Sequence, residues 1–393
     1  MAVSDPAPAA SAVPRRILPA IALAQLAGGS LWFATNGVMD ELQRDWGLAD
    51  SALGTLTAAV QLGFVAGTLV FALLTIADRF SPRRVFLACA LAGALINAAS
   101  LAIPEKLAPL VAIRFATGFF LAGIYPVGMK IASGWYQRGL GAALGVLVGA
   151  LVLGTALPHG LRAIGSGWAW PTVVLAVSAI AAAGGLLMHI AVPDGPFLAR
   201  SARMNPRALA LIWRDPALRA PAFGDFGHMW ELYAFWALVP LIVATRLSGP
   251  TLSLASFMTI AVGFIGCVAG GALVSRFGGA RVACVQLAAS CLCCLAAPWL
   301  LAAGPVAFAL WMLIWGMTVV GDSPQFSALS ADAAPRELVG SVLTIINCIG
   351  FALTAILIHA FAQAAATWPL DWVLPFLAIG PLAGLAAMRP LLR

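Results

Sequence analysis

The 393-residue chain is 62% hydrophobic and 9% charged, with a mean hydropathy of +0.97. Soluble domains carry about 25% charged residues, so water is excluded as the solvent for most of this surface. The net charge of +7 does not signal nucleic acid, because the charges sit between apolar runs and form no single basic face.

In lipid the backbone must satisfy its own hydrogen bonds, as helices or as a closed barrel. A barrel alternates over ten-residue segments. This sequence has solid apolar runs of about twenty residues, the length a spanning helix needs. Residues 1–16, rich in Ala and Pro and closed by Arg15 and Arg16, read as a disordered cytoplasmic tail. Helices are predicted at 17–39, 51–75, 85–104, 108–135, 140–163 and 170–192. A polar linker at 193–219 opens with Pro193, Asp194, Gly195 and Pro196, a combination that ends helices. Six more follow at 220–244, 252–275, 282–302, 305–329, 339–363 and 371–390. The expected architecture is an all-α membrane protein of twelve transmembrane helices in two six-helix halves, 17–192 and 220–393.

Twelve spans put both termini on one side. Of the 22 Lys and Arg residues, only Arg44, Lys106, Arg162 and Arg246 fall opposite the termini, and Arg114 and Lys130 fall within helix 4. The rest lie on the side of the termini, which the positive-inside rule assigns to the cytoplasm. Few Lys beside many Ala, Arg and Gly fits a GC-rich bacterial genome, hence an inner membrane. Three of the seven cysteines crowd at Cys291, Cys293 and Cys294. With no His or carboxylate at metal spacing beside them they read as small packing residues, and no metal or cofactor is expected.

The halves repeat. Arg79-Phe80 with Arg83-Arg84-Val85 after helix 2 is echoed by Arg276-Phe277 with Arg281-Val282 after helix 8. Gly123 and Pro126 in helix 4, with Arg138 beyond, are echoed by Gly321, Pro324 and Arg336. Repeated halves are a transporter architecture whose interface forms a central site.

On these residues the whole chain resembles the major facilitator superfamily. The family's loop pattern Gly-x-x-x-Asp-Arg-x-Gly-Arg-Arg/Lys is met by Asp78, Arg79 and Arg83, with Arg84 adding charge. It is departed from by Leu74, Ser81 and Pro82. The resemblance implies a conformational latch at Asp78, Arg79, Arg83 and Arg84, with Arg276 and Arg281 at the repeated positions. Arg114 and Gly118 are similar to the family's helix-4 motif, which implies proton coupling for Arg114. Helix 5 lacks the Gly-Pro of drug–proton antiporters and has only Pro158. The family is usually monomeric.

Charges in a bilayer cost about 2.5–3.5 kcal/mol each on insertion scales. Helix 7 carries Asp225, His228 and Glu231 at spacings of three, one stripe of a helix. Glu231 lies about 16 Å into the span, near the midplane. A dry carboxyl beside an imidazole is the chemistry of a proton carrier, so all three are expected to couple protons. The alternative is a hydrogen-bonded group that only fixes packing. Gly321-Asp322-Ser323-Pro324-Gln325 loosens helix 10, so Asp322 and Gln325 are expected to line a cavity, with Asp322 equally readable as the partner of a cytoplasmic arginine. Trp32, Asn36, Gln61, Tyr125, Tyr233, Trp236 and Asn347 are further cavity candidates. Lys130 either snorkels or faces the pore, and a pore-facing Lys would favour an anion.

The expected function is secondary active transport of a small solute by alternating access, proton-coupled, with anion symport ahead of efflux of a toxic compound. A non-transporting receptor or scaffold of the same fold is the competing class. An enzyme is not expected, since His159 and His359 lack Cys or carboxylate neighbours. The expected partners are the solute, protons and the bilayer.

Overall fold

The computed structural model describes residues 13–136, 139–165, 167–198 and 204–392. Residues 1–12 of the expected tail, Arg138 of the repeat and residues 199–203 of the expected linker lie outside the described residues. Eleven helices are long and apolar enough to cross a membrane: α2 Ala52–Leu73, α3 Pro82–Ala102, α4 Leu107–Trp135, α5 Leu140–Ile164, α6 Trp170–Ala191, α7 Pro216–Ala244, α8 Gly249–Phe277, α9 Gly279–Leu300, α10 Pro305–Ala333, α11 Val339–Thr367 and α12 Leu370–Leu392. A shorter apolar helix, α1 Ile17–Gly29, precedes them.

The predicted continuous helix 17–39 is corrected here. The helix stops at Gly29 and turns occupy 30–35, followed by a 3₁₀ turn Asn36–Val38 and a polar helix Met39–Trp46. Two consecutive glycines, Gly28 and Gly29, weaken the helix. The Ser30 hydroxyl then donates to the Ala27 carbonyl at 2.6 Å, competing with the helical ladder. Helices α4 and α10 are interrupted as well, after Leu121 and at Asp322, and each resumes on a segment with proline in its first turn. The repeated Gly-x-x-Pro is thus the sequence mark of a repeated break.

The halves share a second feature. A Cβ on Gly63 of α2 would lie 1.9 Å from the Phe115 carbonyl oxygen of α4, and one on Gly118 would lie 2.0 Å from that of Val60. In the second half, Gly266 of α8 meets the Met317 carbonyl at 1.9 Å and Gly316 of α10 meets Thr259 at 1.8 Å. Backbones touch where small residues allow it, which is how helices associate without a hydrophobic driving force. Between the halves, α2 packs on α11 and α5 packs on both segments of α8.

The rim of the bundle exposes Leu95, Val285, Leu292 and Ile356, side chains that lipid covers. The short amphipathic helix Arg207–Arg214 seats Ala208 and Ile212 against Val342 and Ile345 of α11.

Gly118→Leu and Gly316→Leu should each abolish the monodisperse size-exclusion peak of the detergent-purified protein. Gly271→Leu, which has nothing within 4 Å of its Cβ, should elute as wild type. Normal elution of the first two would show that these crossings do not set the packing.

Candidate functional site

The unwound segment after α1 releases carbonyls that a helix would have engaged. Arg114 of α4, fully buried, answers them: its Nη2 donates to Leu31 O at 3.0 Å and Trp32 O at 2.6 Å. Its Nη1 donates to Asn97 Oδ1 at 3.2 Å, and the Asn97 amide donates onward to Ser178 Oγ at 3.0 Å. The forked guanidinium serves these three acceptors from two separate nitrogens. The indole of Trp32 is fixed separately, donating to Gln61 Oε1 at 2.9 Å. Asn36 donates to Thr57 Oγ1 at 3.0 Å. Gln61 and Arg114 therefore hold the break in α1 from α2 and α4.

That break places Trp32 at the seam between the halves. Its ring stacks on Tyr233 of α7 and Phe351 of α11, with centroids 5.8 and 5.5 Å apart and 29° between planes in each case. Phe64 of α2 meets Phe351 at 4.4 Å, and Tyr125 of α4 meets Trp32 edge-on at 6.4 Å. Tyr233 meets Trp236 at 5.2 Å, and Trp236 meets Phe33 at 6.3 Å. Trp32, Phe33, Phe64 and Tyr125 come from the first half, and Tyr233, Trp236 and Phe351 from the second. All but the half-buried Tyr125 are buried. The Trp236 indole nitrogen has no hydrogen-bond partner among the described residues.

The α7 stripe fans out, because each step of three residues turns the side chain about 60° around the axis. Asp225 sits by α11, its Oδ2 3.7 Å from where a Cβ on Gly350 would be. His228 faces the break in α10, with Nδ1 2.8 Å from Asp322 Oδ1 and both side chains buried. Glu231 turns inward to α9 and α10. Its Oε1 accepts from the Trp315 indole at 2.5 Å and from Cys294 Sγ at 3.2 Å, and its Oε2 accepts from Ser290 Oγ at 2.9 Å. An indole can only donate, so the cage is built around an acceptor oxygen. Cys294 and Ser290 lie four residues apart on one face of α9; the sequence reading takes Cys294 as a packing residue and does not single out Ser290. The polar position four residues from the cysteine was the available signal.

At the end of the bundle holding the α2–α3 loop, Lys130 hydrogen-bonds Asp78. Its place is therefore in that end, with the expected latch, and it is withdrawn from the cavity candidates. Arg83 lies 4.0 Å from Asp194 and donates to the His189 carbonyl at 3.3 Å. Arg79, Arg84, Arg276 and Arg281 are exposed, and Arg276 lies over the Phe277 ring at 5.2 Å. Thr75 in this loop has φ +47°, a left-handed conformation that strains a β-branched residue. It stands one residue after Leu74, which occupies the family's glycine position.

At the opposite end a cavity of about 330 Å³ lies between the halves. Asn36, Asp40, Arg44, His159 and Arg162 line it on one side and Pro240, Leu252 and Ser253 on the other. Arg162 pairs with Glu41. Asn36 and Gly37 in the cavity lining follow Trp32 and Phe33 of the seam in the chain. Among the described residues Asn347 bonds within its own helix, to Leu343 O at 2.9 Å, and Gln325 packs over Gly270 of α8. The structure thus gathers Trp32, Gln61, Tyr125, Tyr233 and Trp236 in one place and His228 and Asp322 in another.

The family model of the Major Facilitator Superfamily matches residues 21–359. The chain belongs to the Major Facilitator Superfamily. Its apolar helices make it a multi-pass membrane protein. Among curated proteins it is 29% identical over 236 residues to YgaY, an uncharacterized transporter of Escherichia coli (strain K12). That match takes in 55% of this chain and 56% of YgaY, so the chain spans little more than half of that relative's length. Two solved transporters share the fold at 14% identity. The nucleoside transporter NupG, in a single-substitution variant, aligns with a TM-score of 0.71 over 96% of this chain and 100% of that one. The human organic anion transporter MFSD10 (TETRAN) aligns at 0.72 over 95% and 99%.

The Glu231 cage yields a double-mutant cycle. Trp315→Phe should destabilise the detergent-solubilised transporter by about 1–3 kcal/mol, read as a fall in thermal unfolding temperature. In a Glu231→Leu background the same change should cost much less. Equal costs in both backgrounds would show that the indole and the carboxyl do not depend on one another.

Proposed function

We propose that this transporter couples solute movement to protons, with the His228–Asp322 pair as the coupling site. One observation carries the reading. Asp225, Glu231 and Asp322 are three buried carboxyls. Among the described residues the sole basic side chain within ion-pair distance of any of them is His228. Full ionisation would leave uncompensated negative charge at membrane depth, where charge is costly, and bound protons supply the balance. The pair joins α7 to the break in α10, so a change in its proton count acts where the helix is already interrupted. Asp225, one turn away and next to α11, is the group through which protons reach the pair. Glu231, caged by three donors, serves as the fixed carboxylate that ties α7 to α9 and α10. Arg114 contributes by holding the α1 break, without itself exchanging protons.

The halves we assign as 17–192 and 220–393, joined by 193–219, rock about the aromatic seam. The α2–α3 loop closes one side, with Asp78, Lys130 and Arg83 tying that loop to the ends of α4 and α6. The arginine bias supports a bacterial inner membrane with both termini in the cytoplasm. Protease cleavage of an N-terminal tag in spheroplasts with intact membranes would contradict that orientation.

Reconstitution in vesicles holding a trapped pH dye tests the coupling. A transported solute should move protons with it in the wild type. Asp322→Asn should still exchange solute for solute across the membrane but should lose both the pH change and uphill accumulation. Accumulation driven by a pH gradient in Asp322→Asn would remove the pair from the mechanism.

A further inference from the structure

We propose that the solute is a planar aromatic cation, recognised by the rings of the seam. This rests on the alternating-access reading, in which the seam is where the halves part.

Trp32 from the first half stacks on Tyr233 and Phe351 from the second, and Phe64 meets Phe351 tilted, at 4.4–5.8 Å between centroids. These contacts cross the surface along which the halves must separate. When they separate, flat π-faces on both sides lose their partners, and a flat ring of the solute restores the same stacking. The rings belong to α1, α2, α7 and α11, so one solute ring would be held by both halves at once. Asn36 and Gly37 in the lining of the cavity follow Trp32 and Phe33 of the seam in the chain, and Phe33 meets Trp236. The buried Trp236 indole nitrogen, unpartnered among the described residues, supplies a donor for an acceptor atom on the solute.

The sign of the charge follows from what surrounds the rings. Trp and Tyr faces attract cations. Asp225 stands on the same helix as Tyr233, about 12 Å along the axis, with no basic side chain in ion-pair distance among the described residues. The two cations of α4 that an anion would need are engaged elsewhere: Arg114 on the Leu31 and Trp32 carbonyls and Asn97, Lys130 on Asp78. Buried Asp225 stands outside any ion pair among the described residues, while the cavity mouth carries both signs, Asp40 and Glu41 with Arg44 and Arg162.

A matched two-ring set provides the test: N-methylquinolinium, neutral quinoline and naphthalene-2-sulfonate, titrated onto the transporter in lipid nanodiscs by calorimetry. N-methylquinolinium should bind saturably, and equimolar naphthalene-2-sulfonate should not displace it. Trp32→Leu and Tyr233→Leu should each weaken the cation about tenfold, while Trp32→Phe, which keeps a ring, should weaken it less. Asp225→Asn should weaken N-methylquinolinium and leave quinoline unchanged. Trp299→Leu, on an exposed indole at the rim, should change nothing, and elution and melting of each variant exclude misfolding. Tighter binding of the sulfonate, absence of saturable cation binding, or wild-type affinity in Trp32→Leu would overturn the proposal. Binding here needs no gradient. A cation that binds as expected while Asp322→Asn still accumulates it would therefore sink the coupling alone, and pH-driven uptake of the sulfonate would sink the substrate class alone.

Discussion

A bilayer interior offers no hydrogen bonds, so every backbone group that leaves the helical ladder must find a partner inside the protein. Most of the local structure of this transporter follows from that. The break in α1 exists because Arg114 is buried against it from α4. The same constraint explains why the breaks in α4 and α10 each fall beside a proline, which has no N–H to satisfy. In the second half the interruption leaves Asp322 facing His228, so a backbone irregularity and a titratable pair occupy one place.

The two halves use one frame for different chemistry. In the first half the buried charge is a guanidinium, fixed on carbonyls and amides, and its effect is to present a ring. In the second the buried charges are carboxyls set against an imidazole, an indole, a hydroxyl and a thiol. The rings at the seam separate these environments and join the halves. The proposed proton site and the proposed solute site therefore share α7, on which Tyr233 lies less than two turns from His228 and less than one from Glu231.

Much of this was legible from residues alone. Apolar run length gave eleven spans to within a few residues, because lipid imposes a length and an internal hydrogen-bond pattern on each. The repeat was visible because glycine and proline cannot be exchanged freely at a break. The stripe Asp225, His228, Glu231 was visible because charge is rare at that depth. What each member of the stripe touches was not visible, since spacing fixes a face and partners depend on how neighbouring helices are rotated. Glu231 met Ser290, Cys294 and Trp315, two of them residues that look like packing. Lys130 was ambiguous because its stem lets the ammonium reach several Å along the helix, and only the position of the Asp78 loop decided where it went. The α1 break escaped because Gly and Ser are common in membrane helices, and its stabilising partner lies 82 residues downstream of Trp32.

The paired glycines at the α2–α4 and α8–α10 crossings carry a consequence for ancestry. A chain that arose by doubling one six-helix unit can let its copies drift in charge, in aromatic content and in loop length, and these copies have done so. It cannot let them drift where a backbone oxygen lies closer to a neighbouring Cα than a methyl group permits. Such positions accept no side chain in either half, and the rings and carboxyls are carried on the frame they set. That division lets one inherited frame be refitted for a new solute by changing a ring or a carboxyl, with no helix having to move.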